Sequence, residues 1–244
     1  AWLCDSHGID GRVGYCIGGE HTDSDQADLL YVTEGLELIR SLFDSGNSYY
    51  TVLFIDEAHK RTIGIDTLMA WAKKVMACRG FKIVIMSATI DALRFSQYFD
   101  GAPIIDIVGR QFEIEDRDPT NESIVEECAY YAGMGYDVEV FFSGKPDISS
   151  AVAALRGCGV DAEVLLFHSG LSTGEIQACL ARYDRPKIIL ATNAAQDGLT
   201  IPGVSVVIDS GMERRIENCN GIERLVLAPI SLDSRDQRRG RSGR

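Results

Sequence analysis

The chain has 244 residues, 45% of them apolar, a formal net charge of −12 and an isoelectric point near 4.8. This supports one large domain or two small ones with real cores, and it excludes a protein that coats nucleic acid with a general basic surface. A protein that grips one strand through backbone amides, hydroxyls and a few local cations stays open.

No apolar run approaches the roughly 18 residues of a membrane helix. Ala1-Trp2-Leu3-Cys4-Asp5 turns polar at once, unlike a signal peptide. Seven scattered cysteines without a CxxC pair predict reduced thiols in a cytosolic or nuclear compartment. Cys4 and His7 have a loose metal-ligand spacing, but no second pair completes a zinc site.

In chain order, short β-rich runs alternate with helical patterns. Candidate strands are Thr51–Ile55, Lys82–Met86, Val138–Phe142, Glu163–Phe167, Lys187–Ala191 and Val204–Ile208. Several are almost wholly apolar, as buried parallel strands are. Ile65, Leu68, Met69, Ala72, Val75 and Met76 follow helical spacing, and Gly80 ends that helix. Ser149–Arg156 and Thr173–Tyr183 predict two more helices, with Gly157 and Pro186 marking their ends. The alternation predicts an α/β fold with parallel sheets. The polar, acidic stretch from Gly109 to Asn121 contains Pro119 and predicts a linker near Asp116–Asn121. The expected domains are therefore 1–117 and 118–244.

Asp56-Glu57-Ala58-His59 directly follows the apolar run Thr51–Ile55. Side chains at the carboxyl end of a parallel strand open into the crevice where ligands bind. There Asp56 can hold Mg²⁺, largely through water, and Glu57 can orient and deprotonate an attacking water. An acidic turn before a solvated helix is the bland alternative, and the strand before the pair argues against it. Ser87-Ala88-Thr89 follows the next strand and could bridge the acidic site or simply cap a helix. Five arginines crowd the last ten residues, four of them in Gln237-Arg238-Arg239-Gly240-Arg241-Ser242-Gly243-Arg244. They are suited to phosphate oxygens, or to a flexible nucleic-acid tail.

These segments together resemble the DEAH-box helicases of superfamily 2. The likeness is carried by Asp56–Arg61, Thr62, Met86–Thr89, Phe95-Ser96, Ala102-Pro103-Ile104 and Gly109-Arg110. It continues through Val13-Gly14-Tyr15, Thr33-Glu34-Gly35, Ala191-Thr192-Asn193, Leu199–Val204, Asp209-Ser210-Gly211, Pro229-Ile230-Ser231 and Gln237–Arg244. The resemblance implies two RecA-like lobes with parallel sheets, the first incomplete at its N-terminus, with ATP bound between them and single-stranded RNA across their top. It implies that Asp56 and Glu57 are the metal and water-activating carboxylates. His59 would sense the other lobe, and Ser87 and Thr89 would couple hydrolysis to lobe movement. Thr33, Gly35, Thr192 and Asn193 are implied at the RNA, Gly198 and Thr200 at the nucleotide. Gln237, Arg241 and Arg244 are implied at the phosphates, the two arginines as fingers.

The chain also departs from the family. Lys60 stands where Glu is usual, Ile17-Gly18-Gly19-Glu20 lacks an Arg-Phe, and Ala194-Ala195-Gln196-Asp197-Gly198 is closer to the viral relatives. No G-x-x-x-x-G-K-[ST] occurs; Gly144-Lys145 runs into Pro146 and does not make one. The expectation is therefore an internal piece of an NTP-dependent RNA helicase, inactive alone. The alternative is a non-hydrolysing RNA-binding or scaffold relative without a phosphate loop.

Overall fold

The computed structural model describes residues 12–18, 20–21, 27–43, 51–87, 92–107, 112–168, 170–193, 200–219 and 221–242. Two compact units divide the chain, Ala1–Asp106 and Ile107–Arg244.

In the first unit, β1 (Val13–Ile17) lies between β2 (Glu20–His21), antiparallel to it, and β3 (Leu29–Val32), parallel to it. α1 (Glu34–Phe43) follows β3. A separate parallel pair is formed by β4 (Val52–Ile55) and β5 (Lys82–Ile85), in the register Ile55 opposite Ile85. Between them run a short 3₁₀ turn at Ala58–Lys60 and α2 (Ile63–Arg79); α3 (Ala92–Tyr98) comes after β5. The helical spacing read from the sequence is the buried stripe of α2. Ile65, Leu68, Met69 and Ala72 are buried, the first three packed with Ile55 and Ala58. Gly80 takes φ +73°, which a glycine adopts without steric cost, and the helix stops before it.

The second unit is built on a four-stranded, all-parallel sheet in the order β7-β8-β6-β9: Glu163–Phe167, Lys187–Ala191, Asp137–Phe141 and Val204–Asp209. Helices cover both faces. Val138, Val140, Ile188 and Leu190 pack with Cys128 and Ala132 of α4 (Ile124–Gly133) and with Ile148, Ala151 and Leu155 of α5 (Lys145–Cys158). Phe141, Ile189 and Ala191 point the other way, onto Cys179 of α6 (Thr173–Leu180) and Ile201. Every residue of β8 is buried, and each large apolar side chain there contributes about 1.5–3 kcal/mol.

Lys187 opens that strand although it is charged and 1% exposed. Its Nζ donates to the carbonyls of Cys179 (3.2 Å) and Ala181 (3.1 Å), satisfying the carboxyl end of α6. Burial holds its ammonium below the ordinary lysine value. The other end of α6 carries a capping box, Ser172 with Glu175.

β10 (Met212–Cys219) and β11 (Ile222–Pro229) form a long antiparallel hairpin, and α7 (Leu232–Arg239), capped by Ser231, follows. The helix expected at Ser149–Arg156 begins at Lys145, where Pro146 fits the first turn. The helix expected over Thr173–Tyr183 ends at Leu180. In the stretch read as a linker, residues 112–123 carry no helix or strand. Thr120 and Asn121 are clasped by the buried Glu127 carboxylate. It accepts from both backbone amides, the Thr120 hydroxyl and Asn121 Nδ2. No helix among the described residues is long and apolar enough to cross a membrane.

Candidate active site

The parallel register of β4 and β5 sets the site in the first unit. Met86 N donates to Ile55 O (2.9 Å) and Ala58 N donates to Met86 O (3.2 Å). Asp56, Glu57 and Ser87 therefore leave the same edge of the strand pair, at its carboxyl end. This is the position that the apolar run before Asp56 predicts.

Beyond the strand the chain turns sharply. Glu57 and Arg61 bracket the 3₁₀ turn with φ +52° and +47°, conformations that cost a non-glycine residue roughly 1–2 kcal/mol. Such strain is held only where neighbouring contacts over-determine it. Here Asp56 Oδ1 accepts the Glu57 amide (2.8 Å), and Arg61 makes a two-pronged contact with Asp66 (2.7 and 3.0 Å). The hydrogen bond and charge of Arg61 hold the Asp66 carboxyl below its ordinary value.

His59 joins the parts. Its Nε2 lies 3.2 Å from Glu57 Oε2, and its Nδ1 shares a 2.9 Å hydrogen bond with Ser87 Oγ. A carboxylate can only accept, so the ring proton belongs on Nε2. With that proton on Nε2, Nδ1 can accept the Ser87 hydroxyl. The imidazole thus fixes the Glu57 carboxylate against the end of β5. The sequence reading gave His59 a sensing role; Glu57 and Ser87, which it contacts here, belong to the same unit. Thr89, the companion of Ser87, lies outside the described residues.

Asp56 is exposed, and among the described residues no group of three or more His, Cys, Asp or Glu could hold a metal. Magnesium in nucleotide sites uses one or two carboxylates and completes its shell with water and phosphate. Asp56, with Glu57 beside it, fits that donor set.

In the second unit Thr192 and Asn193 follow the carboxyl end of β8, and the last helix is tied to the carboxyl end of β9 through Arg238 and Asp209. Thr192 is buried just past β8, its amide donating to Phe167 O (3.0 Å), and Asn193 is half-buried beside it. Thr200 is exposed, leading into the buried Ile201. α7 carries Gln237, half-buried, and Arg241 lies just past its end, buried. Gly198 and Arg244 lie outside the described residues. Thr33 and Gly35, both exposed, stand at the start of α1 in the first unit.

One residue escaped the sequence reading. Arg238 is wholly buried, with Nη1 2.8 Å from Asp209 Oδ1 and its guanidinium 4.9 Å from the centre of the Phe141 ring. It pins α7 to the ends of β6 and β9, and so fixes the platform from which Gln237 and Arg241 project. Nothing in a run of four closely spaced arginines marks which of them pairs with Asp209.

The helicase conserved C-terminal domain matches residues 121–244. The chain is 34% identical over 254 residues to the ATP-dependent RNA helicase HrpA of Escherichia coli, covering 96% of this chain and 19% of that protein. It is 32% identical over 254 residues to the HrpA homolog of Haemophilus influenzae, covering 97% of this chain and 19% of that protein. The chain thus spans about a fifth of the length of these relatives. Among solved structures it is similar to the E. coli DEAH/RHA helicase HrpB, with a TM-score of 0.83 and 27% identity, covering 99% of this chain and 33% of that one.

Proposed function

The chain belongs to the helicase family, in its superfamily 2 DEAH type, and on that footing we propose that it is the catalytic core of an NTP-dependent RNA helicase. In this reading hydrolysis of ATP or another NTP drives movement along, or unwinding of, RNA. The observation that carries it is the Glu57–His59–Ser87 chain of contacts at the carboxyl end of β4 and β5. A solvated acidic turn has no use for an imidazole that fixes its carboxylate, whereas a general base works from a held position.

Asp56 and Glu57 would hold Mg²⁺, which, when bound, supplies charge neutralisation on the phosphates. Glu57 orients a water and takes its proton. His59 keeps Glu57 in place, and Ser87 keeps His59 in its tautomer. In the second unit Gln237, Arg241 and Arg244 face phosphate oxygens, the two arginines neutralising charge that grows in the transition state. Gly198 and Thr200 line the nucleotide side, and Thr33, Gly35, Thr192 and Asn193 line single-stranded RNA.

Arg241→Ala in the complete gene product tests the finger role against a nucleic-acid tail. It should cut turnover by roughly 10³–10⁵, as loss of such arginines does in phosphoryl transfer, with little change in RNA affinity. A variant that keeps its turnover and loses salt-sensitive RNA affinity instead makes the arginines a tail.

A further inference from the structure

The strained turn after the acidic pair is pinned at its far end by a residue outside every site described so far. Thr62 Oγ1 donates to Glu34 Oε2 at 2.8 Å and accepts the Ile65 amide at 3.1 Å. One hydroxyl therefore caps α2 and ties it to the first turn of α1. The other Glu34 oxygen lies over Gly64, 2.9 Å from where a β-carbon would stand, so the absence of a side chain at Gly64 admits the carboxylate. Three residues separate the two anchors of the turn. At its start Ala58 N is held by Met86 O; at its end Thr62 is held by Glu34. Glu57 and Arg61, the two left-handed residues, fall between or beside these anchors.

Glu34 stands between Thr33 and Gly35, the candidate contacts for the RNA backbone. Whatever moves the first turn of α1 moves the carboxylate that holds Thr62. Left-handed and right-handed backbone conformations are separate basins, so the turn has discrete arrangements and not a continuum. A small displacement at Thr62 can therefore change how Glu57 is presented.

We propose that Glu34 is a positioning residue for RNA-stimulated hydrolysis: through Thr62 it links strand occupancy at the start of α1 to the placement of the Glu57 carboxylate. This rests on the helicase reading above, and it adds to that reading the residue pair through which RNA acts on the first-unit carboxylates. Glu34 touches neither the nucleotide nor the reacting water.

The test uses the complete gene product, with NTP hydrolysis measured without RNA and at saturating single-stranded RNA, and RNA affinity measured by fluorescence anisotropy. Glu34→Ala and, separately, Thr62→Val should each lower the RNA-stimulated to basal ratio by about fivefold or more, the scale of ordinary inter-site coupling. Basal turnover and RNA affinity should stay near wild type. Thr62→Ser, which keeps the hydroxyl, should retain the ratio. The double variant Glu34→Ala/Thr62→Val should be no worse than the poorer single, because both remove one link. Parallel loss of basal and stimulated rates, an unchanged ratio, or additive losses in the double variant would each overturn the inference while leaving the helicase reading in place. A wild-type protein whose hydrolysis RNA does not stimulate would overturn the helicase reading and this inference together. Should Glu34→Ala fail to fold, Thr62→Val and Thr62→Ser carry the comparison.

Discussion

Arg238 and Asp209 form a charge pair that joins the last helix of the second unit to its sheet. The guanidinium has no exposed surface, sits 2.8 Å from Asp209 Oδ1 and lies over the Phe141 ring. Removing one partner of a buried pair strands the other, at a cost of about 3–5 kcal/mol. Asp209 keeps some contact with water, which places Asp209→Asn at the lower end. Arg238→Lys keeps the charge but loses the planar fork and its stacking, so it should also destabilise. Amide hydrogen exchange of β6 and β9 checks both: protection should fall in these strands. Wild-type protection in both variants would show that the pair holds nothing.

The Glu127 clasp makes the entry to the second unit sensitive to acid. Burial alone pushes its carboxyl up, but hydrogen bonds from Asn121 and Thr120 outweigh it and leave the carboxyl below its ordinary value. A depressed carboxylate adds stability that is present above the unfolded-state value and is lost as pH falls through the folded-state value. Glu127→Gln should therefore destabilise by about 1–3 kcal/mol at neutral pH, as loss of hydrogen bonds to a charged group does. The gap to wild type should close in acid. Urea unfolding at pH 7 and pH 4 checks this; a gap that widens in acid contradicts it.

The cysteines divide by burial. Burial pushes the Cys128 thiol up to about 12 and raises that of Cys179, whereas Cys78 and Cys158 are exposed. Only the thiolate reacts readily. Alkylation at neutral pH followed by mass spectrometry should modify Cys78 and Cys158 in the native protein, and Cys128 and Cys179 only on unfolding. Equal labelling of Cys128 and Cys158 would show that α4 does not seal against the sheet.

Much of the second unit is legible because its strands are buried on both faces. Lys187–Ala191 and Glu163–Phe167 run as read, since an apolar stretch of that length has no other use there. The hairpin Met212–Pro229 is not legible by apolarity: Glu213, Arg214, Arg215, Glu223 and Arg224 interrupt it, and Ile216, Leu225 and Leu227 are exposed. Its signal in the sequence is the dipeptide Asn220-Gly221, a composition that favours tight hairpins. α4 hides at the edge of an acidic stretch that reads as linker, although Ser123 before Glu126 and Glu127 is a helix start. In the site, Asp56, Glu57, His59 and Ser87 are legible because contiguous motifs carry them. Glu34 with Thr62, and Asp209 with Arg238, are not: each pair is about thirty residues apart in sequence, and only the folded chain brings its members within hydrogen-bond distance.

The central claim is that Glu57, fixed by His59, is the general base of NTP hydrolysis. Glu57→Gln in the complete gene product keeps the shape but cannot take the water's proton. With RNA present, phosphate release should be nearly abolished while a fluorescent NTP analogue binds as tightly as to wild type. Near-normal release by Glu57→Gln, with the NTP bound, would contradict the account.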